Sequence, residues 1–407
     1  MKCGLLGGKL GHSYSPQIHG QLGDYPYVLF EKEPQALESF LKAGDFTGIN
    51  VTVPYKKAVI PYLDSLSPTA KALGAVNTVV RRDGKLIGHN TDCFGFETML
   101  HTSGLPVAGK KALVLGSGGA SNTAVAVLKA QGAQVVIISR SGDDNYQNLH
   151  RHADAAVIVN TTPVGMYPNV GISPIDLALF PKLEGVLDVV YNPARTQLLL
   201  DAEKRGLIAV NGLLMLVAQA KEAAEWFTGQ AITDDKISQI HTLLRRQMEN
   251  IILIGMPGCG KSTIGKRLAE KTGKRFIDAD AYLVEKAGRT IPEIFAAEGE
   301  EGFRALETEV LEELGKQSGL ILATGGGCVT RDQNYPLLHQ NGTIFCLCRD
   351  LDLLPTEGRP LSQSNKLQDM YRVRKPLYDR FADHMIDNNT TAEAAAEQIL
   401  HIWEETT

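Results

Sequence analysis

The sequence has no block of basic residues, no apolar run long enough to cross a membrane, and no cysteines at metal-ligand spacing. Each absence excludes a class of function. Lys and Arg number 41 against 46 Asp and Glu, a net charge of −5, so the electrostatic footprint of a nucleic-acid binder is missing. A membrane span needs roughly 20 consecutive apolar residues, and the amino-terminal "MKCGLLGGKLGHS" also lacks the apolar stretch of a signal peptide. The six cysteines (Cys3, Cys93, Cys259, Cys328, Cys346 and Cys348) are scattered. Cys346 and Cys348 share the run "TIFCLC", which reads as a buried strand carrying small hydrophobes. Also missing are a Gly/Ser/Pro-rich linker, an internal repeat and a low-complexity tract. The expectation is a chain of the reducing cytoplasm that acts on small molecules, with no nucleic acid and no membrane.

The 407 residues, 43% hydrophobic and 21% charged, exceed one ordinary core and suggest roughly two to three domains. Forty glycines cluster in runs such as Gly7-Gly8, Gly118-Gly119 and Gly325-Gly326-Gly327, which let a backbone approach a ligand closely. Strand-like apolar runs alternate with helix-like segments, the pattern of an α/β fold with mainly parallel sheets. In "KKALVLGSGGASNTAVAVLKAQGAQVVIISRS" the pattern predicts a strand over Lys111–Leu115, a helix over 123–131 and a strand over 134–139. "DVVYNP", from Asp188, reads as another buried strand. From Ile237 to Met248 apolar residues recur at helical spacing, with Thr233 or Asp234 able to cap the start. The strand "NIILIGM" follows at once, placing the main boundary near Glu249.

That strand leads into "GMPGCGKST", where Gly255, Gly260, Lys261 and Ser262 fit G-x-x-x-x-G-K-[ST]. Gly258, Cys259, Gly260, Lys261, Ser262 and Thr263 would form a phosphate cradle, its N–H groups converging on phosphate oxygens at a helix start. Lys261 adds a mobile charge, and the Ser262 hydroxyl suits Mg²⁺. The pattern predicts a nucleoside triphosphate site. The next strand ends in "FIDADAY", and strand alternation would put Asp278 and Asp280 on one side. One carboxylate would organise the metal and the other take a proton from an attacking hydroxyl; the plainer alternative is a helix cap. Arg304, Arg359 and Arg374 follow in "GFRALE", "GRPLS" and "RVRKPLY". Each alone reads as solvated surface; as a set beside a triphosphate site they suggest an anionic substrate.

Taken together, the phosphate loop, "DAD", "GEEGFRALE", "GGG", "GRPL" and "RKPLY" resemble shikimate kinase over essentially all of 250–407. The resemblance implies ATP and Mg²⁺ as cofactors. It implies that Asp280 deprotonates the acceptor hydroxyl, that Asp278 with Ser262 attends the metal, and that Arg304, Gly326 and Arg374 hold shikimate, with Glu307 bracing Arg304. Arg359, on a lid, would reach the transferring phosphate with Lys261. The stretch around that lid is shorter than in the family and lacks the basic residue that commonly flanks adenine.

In the first half, Gly116, Gly118 and Gly119 follow a strand and open a helix, with Ser121 where a third glycine commonly stands. The second strand of that unit ends at "ISRS", offering Arg140 instead of an acidic residue, which favours a 2′-phosphate and hence NADP(H), or is an ordinary surface arginine after a strand. Lys56 in "NVTVPYK" and Asp92 in "GHNTD" suit protonation of a developing alkoxide, or are a surface salt bridge. Ser13 and Ser15 would face one side if extended and bind a carboxylate, or are turn residues.

The motifs "GHSYSPQIHG", "NVTVPYK", "GAVNT", "GHNTD", "LGSGGAS", "NTTPVGM" and "NGLLMLVAQA" resemble shikimate dehydrogenase throughout residues 1 to about 245. By that resemblance Ser13 and Ser15 bind the substrate carboxylate, Thr52, Asn77 and Gln219 the ring hydroxyls, and Lys56 with Asp92 form the catalytic pair. Tyr191 lines the substrate side near the nicotinamide, and Gly116, Ser117, Gly118, Gly119 and Ala120 line the pyrophosphate. The implied organisation is a substrate domain over 1–98, a Rossmann-like NADP domain over 99–210, helices returning to the substrate domain over 211–248, and a P-loop kinase domain with a parallel sheet over 249–407. Between Arg140 and "VIVNTTP" the chain is shorter than usual, as if a helical unit were trimmed. The implied function is two consecutive steps: reduction of 3-dehydroshikimate, then phosphorylation of shikimate.

Overall fold

The computed structural model describes residues 1–11, 13–354 and 364–406. These form two compact units, one of Met1–Val164, Ser173–Tyr191 and Leu198–Leu243, the other of Gly165–Ile172, Asn192–Gln197 and Leu244–Thr407. Three sheets carry the fold.

The first unit opens with a six-stranded mixed sheet: β1 (Cys3–Gly7), β2 (Tyr27–Glu31), β3 (Gly48–Val51), β4 (Ser65–Leu66), β5 (Thr78–Arg82) and β6 (Lys85–His89), in the order β2-β1-β3-β5-β6-β4. β5 and β6 are an antiparallel hairpin turned by Asp83-Gly84, both at positive φ (50° and 76°), the two-residue turn that matches strand twist. Its second sheet is wholly parallel: β7 (Lys111–Leu115), β8 (Gln134–Ile138), β9 (Val157–Asn160), β10 (Gly185–Asp188) and β11 (Ile208–Val210), ordered β11-β10-β9-β7-β8. Both faces are covered, and β7 shows why its sequence is a continuous apolar run. Ala112 and Val114 enter one core with Phe96, Met99 and Leu128, while Leu113 and Leu115 enter another with Phe180, Leu198 and Leu199.

Two expectations shift here, and the shortened stretch after Arg140 is as read. The helix predicted over 123–131 starts four residues earlier, at Gly119, because the glycine turn itself supplies the first helical turn. The strand placed at "DVVYNP" is β10, "GVLD", which ends at Asp188; the Asp188 carboxylate turns to accept from the Val190 N–H at 3.0 Å, breaking the ladder. Between β8 and β9 stands a single 3-10 turn, Leu149–His152, where a doubly wound fold ordinarily places a helix.

The second unit holds β12 (Asn250–Gly255), β13 (Arg275–Asp278), β14 (Leu320–Ala323), β15 (Gly342–Cys348) and β16 (His384–Asp387), all parallel in the order β13-β14-β12-β15-β16. Ile251 through Ile254 of β12 are fully buried, so the central strand anchors the core from which the loop at Gly255 departs. In both parallel sheets the chain order reverses beside the strand that feeds a glycine turn, β7 and β12, where ligands bind in such folds. All six cysteines are free. Among the described residues no helix is long and apolar enough to cross a membrane, and no trio of His, Cys, Asp or Glu could hold a metal.

Candidate active sites

A cavity of about 250 Å³ opens in the first unit. Lys56, from the turns after β3, and Asp92, the first residue of the helix Asp92–Ser103, meet on its wall with Nζ 2.6 Å from Oδ2. Their side chains are 25% and 10% exposed, so this is not a surface salt bridge. The other Asp92 oxygen, Oδ1, accepts from Asn77 Nδ2 at 2.9 Å, so both are satisfied and the carboxylate is held rigidly. Asn77 is fixed in turn: its Oδ1 accepts from the Thr91 N–H at 2.7 Å, and its Nδ2 also faces Thr91 Oγ1 at 3.0 Å and Gln219 Oε1 at 3.5 Å. Gln219 arrives on the helix Leu213–Thr228, which packs closely because Gly95 presents no side chain; a Cβ there would stand 2.6 Å from the Met215 carbonyl.

Ser13, Ser15, Thr52 and Tyr191 line the same cavity. The two serines are not on an extended segment. Ser15 begins the helix Ser15–Leu22, with proline in its first turn, and its N–H bonds Ser13 Oγ at 3.2 Å. Asn50 also lines the cavity and was missed; its Oδ1 accepts from the Tyr27 hydroxyl at 2.7 Å. The only sequence signal was its place two residues before Thr52, on the same face of β3 and its extension.

A second cavity in this unit, about 670 Å³, is lined by Gly116, Ser117, Gly118 and Arg140. Gly119 and Ala120 are not in its wall but form the first turn of the helix Gly119–Ala130, whose free N–H groups favour an anion. Gly116 sits at φ +108°, where a Cβ would meet Thr161 Oγ1 at 2.9 Å, so glycine is needed for both conformation and space. Ser121, in place of a third glycine, is fully buried and donates its hydroxyl to the Gly116 carbonyl at 2.8 Å, tying the turn to the helix. This cradle and volume fit a dinucleotide. Tyr146, a wall residue the sequence reading missed, has its phenol pushed above the ordinary value by burial. A Cβ on Gly119 would lie 4.0 Å from the Lys56 side chain, so the dinucleotide turn and the lysine are neighbours.

In the second unit, the loop after β12 carries Gly258 and Gly260 at φ +84° and +98° and ends in the helix Lys261–Thr272, which starts with Lys261, Ser262 and Thr263. Lys261 Nζ folds over the loop and donates to the Gly255 and Met256 carbonyls at 2.9 and 3.1 Å. Ser262 Oγ donates to Asp278 Oδ2 at 2.5 Å. A hydroxyl and a carboxylate so close suit Mg²⁺, which keeps most of its waters and binds through few protein oxygens.

Asp278 and Asp280 do not share a strand face. β13 ends at Asp278, which caps the helix Ala279–Ala287 by accepting from the Asp280 and Ala281 N–H groups at 3.1 and 3.2 Å. Asp278 is thus both a helix cap and the partner of Ser262, while Asp280 stands in the first turn. Burial pushes the Asp280 carboxyl above its usual range, helped by Asp278 and opposed by Lys261 and Arg304.

Arg304 is buried, with Nη1 2.8 Å from Glu307 Oε2 and Nη2 3.4 Å from Glu300 Oε1. Arg304 Nε and Glu307 Oε1 are buried without partners, a polar pair left for a ligand to satisfy. Gly325, Gly326 and Gly327 are glycines for space. A Cβ on Gly325 would stand 2.5 Å from Glu307 Oε1 and 2.8 Å from Asp280 Oδ1; on Gly326, 2.8 Å from Pro257; on Gly327, 2.1 Å from Arg304. The Gly326 carbonyl accepts from Arg374 Nη1 at 3.2 Å and from the Tyr378 hydroxyl at 2.5 Å. Tyr378 was missed, although its spacing of four from Arg374 puts both on one helix face. Arg359 lies outside the described residues.

Comparison with known proteins gives a family for each half of the chain. Residues 5–79 match the family model "Shikimate dehydrogenase substrate binding domain", and residues 257–404 match "Shikimate kinase". A shikimate dehydrogenase (NADP(+)) of Clostridium perfringens is 37% identical over 265 residues, covering 60% of this chain and 97% of the relative. The crystal structure of shikimate dehydrogenase 1 from Peptoclostridium difficile is 37% identical with a TM-score of 0.56, covering 60% of this chain and 98% of that one. A Thermus thermophilus shikimate 5-dehydrogenase in complex with NADP(H) and shikimate is 32% identical with a TM-score of 0.55, covering 59% and 98%.

Proposed function

The chain belongs to the shikimate dehydrogenase family and carries a shikimate kinase domain behind it, and from that premise we propose how one polypeptide performs two successive reactions. The first half reduces 3-dehydroshikimate to shikimate with NADPH; the second phosphorylates shikimate to shikimate 3-phosphate with ATP and Mg²⁺. The observation that carries this reading is the rigid Lys56–Asp92 pair on the cavity wall, next to the dinucleotide turn.

When bound, NADPH supplies the hydride, and ATP with Mg²⁺ supplies the phosphoryl group. Lys56 delivers a proton to the carbonyl oxygen of the substrate while Asp92 aims the ammonium. Ser13 and Ser15 hold the carboxylate, Thr52, Asn77 and Gln219 the ring hydroxyls, and Tyr191 closes the wall. Gly116, Ser117, Gly118, Gly119 and Ala120 take the pyrophosphate. In the kinase half Asp280 accepts the proton of the attacking hydroxyl. Arg304 and Arg374 grip the shikimate carboxylate over Gly326, and Ser262 with Asp278 holds the metal. Lys261 and Arg359 balance the charge of the transferring phosphate. The domains are assigned as 1–98, 99–210, 211–248 and 249–407. Six unpaired cysteines favour a cytoplasmic location.

Arg140 is assigned to the 2′-phosphate of NADPH. Replacing it by alanine should raise KM for NADPH roughly 10- to 100-fold, the weight of a charged hydrogen bond, and leave KM for NADH unchanged. An equal rise for both cofactors would remove the 2′-phosphate assignment.

The direct test of the whole reading supplies the intact chain with 3-dehydroshikimate, NADPH, ATP and Mg²⁺. NADPH is followed by absorbance and products by mass. Shikimate 3-phosphate is the expected end product. Shikimate accumulating unphosphorylated, with ATP consumption indifferent to it, would make the second half a nucleotide-binding regulatory module.

A further inference from the structure

The phosphate loop of the second unit is tethered by a residue 129 positions downstream. Asn388 directly follows β16 and is 1% exposed. Its backbone N–H donates to the Cys348 carbonyl at 2.8 Å, at the end of β15, the strand beside β12. Its side-chain Nδ2 donates to the Cys259 carbonyl at 2.5 Å, inside the loop itself. In a trans peptide the carbonyl and the following N–H point in opposite directions, so gripping the Cys259 carbonyl fixes the aim of the Gly260 N–H.

That peptide needs an outside hold. Gly260 sits at φ +98°, and glycine explores such regions freely. Lys261 does not hold the Cys259 carbonyl: its ammonium bonds the carbonyls of Gly255 and Met256 at the other end of the loop and reaches Cys259 only at Sγ, 3.9 Å away. Asn388 touches the position directly: a Cβ on Gly260 would lie 3.1 Å from its Nδ2. The Asn388 Oδ1 has no partner among the described residues, so the side chain serves no wider hydrogen-bond network. A buried acceptor without a donor is costly, which makes the tether to Cys259 a poor device for stability alone.

We propose that Asn388 is a positioning residue for nucleotide binding: by holding the Cys259 carbonyl it aims the Gly260 N–H into the phosphate cradle, setting affinity for the polyphosphate and not for the base. This rests on the reading of residues 255–263 as the ATP site. The test uses the full chain and two competitors against ATP in the phosphorylation assay, inorganic tripolyphosphate and adenosine. Three variants are compared: Asn388→Ala removes the donor, Asn388→Asp keeps the shape without an amide, and Asn388→Thr offers a hydroxyl donor. In the Ala and Asp variants KM for ATP and the inhibition constant of tripolyphosphate rise together, roughly tenfold, about one hydrogen bond's worth. The adenosine constant and KM for shikimate stay constant, and the Thr variant recovers most of the loss. Weakened adenosine with unchanged tripolyphosphate would overturn the proposal in favour of a base contact. An Asp variant equal to wild type would show that only shape matters, and parallel loss of shikimate affinity in all three would show a merely structural role. If tripolyphosphate fails to compete in the unaltered chain, the phosphate-loop reading itself fails, and that outcome is visible before any variant is made.

Discussion

With Lys56 replaced by alanine, the intact chain loses reduction of 3-dehydroshikimate by a factor on the order of 10²–10⁴ and phosphorylates shikimate at the unaltered rate. The size follows from the proposed role of Lys56 as proton donor. Hydride arriving at a ketone leaves a developing alkoxide, and a proton donor at hydrogen-bond distance removes that charge as it forms. The lysine is aimed by Asp92 at 2.6 Å, and Asp92 is aimed by Asn77 at 2.9 Å. Truncating Lys56 leaves that second bond in place, so the cavity keeps its shape and the groups assigned to the carboxylate and hydroxyls still bind. The loss therefore falls on kcat far more than on KM, the signature of an interaction made chiefly in the transition state. Asp92→Asn should lose less, since the lysine remains and only its orientation suffers. The kinase assay on the same preparation serves as the internal control. Loss of both activities in the Lys56 variant would instead mean that the two sites form one interdependent unit.

How far the sequence reveals these sites depends on whether a feature is local. The loop from Gly255 to Ser262 is legible because strand, glycines and lysine occur in one short stretch. The parallel sheet around β7 is legible because a strand buried on both faces must be apolar throughout. Boundaries are less so. Asp278 and Asp280 look like same-face residues of a strand only if the strand continues, and it stops at Asp278 because that side chain caps the next helix. Ser13 and Ser15 look extended, yet the proline after Ser15 was a visible sign of a helical first turn. What stays hidden is contact across distance. Gly325, Gly326 and Gly327 announce close approach, but only the fold says that the neighbours are Glu307, Pro257 and Arg304. Tyr378 closes "RKPLY" without its contact being readable there, and Asn388 carries no motif of its own; one holds the Gly326 carbonyl and the other the Cys259 carbonyl from residues far along the chain. The unusual Ser121 is explained the same way, by its bond to the carbonyl of Gly116.

Asp280→Asn is the matching change in the kinase half, and phosphorylation should fall by a factor on the order of 10²–10⁴ while reduction is untouched. The substitution keeps the shape and removes the proposed proton acceptor. Its pH behaviour separates this role from a packing role. Burial, reinforced by the charge of Asp278, holds the Asp280 carboxyl above its usual range, with Lys261 and Arg304 opposing. The base must be ionised to work, so the acid limb of the phosphorylation rate lies above the ~pH 4 of an ordinary aspartate, and the residual rate of the Asn variant lacks that limb. The stability consequence has a definite sign. A carboxyl whose folded value is raised stabilises the fold when protonated, and that contribution is lost as pH rises through the folded value. Once ionised, Asp280 is therefore a burden on the fold, increased by Glu307, whose carboxyl is likewise raised, first by burial, and whose Oε1 lies close to the same glycine. Removing the Asp280 charge relieves it. The Asn variant should show a Tm at neutral pH equal to or above that of the unaltered chain, with the kinase all but silent. A residue that lowers stability while supplying activity is what a proton acceptor in a closed site requires. A variant that keeps its rate would remove Asp280 from the mechanism, and one that loses rate only by unfolding would leave it a structural residue of the first helical turn.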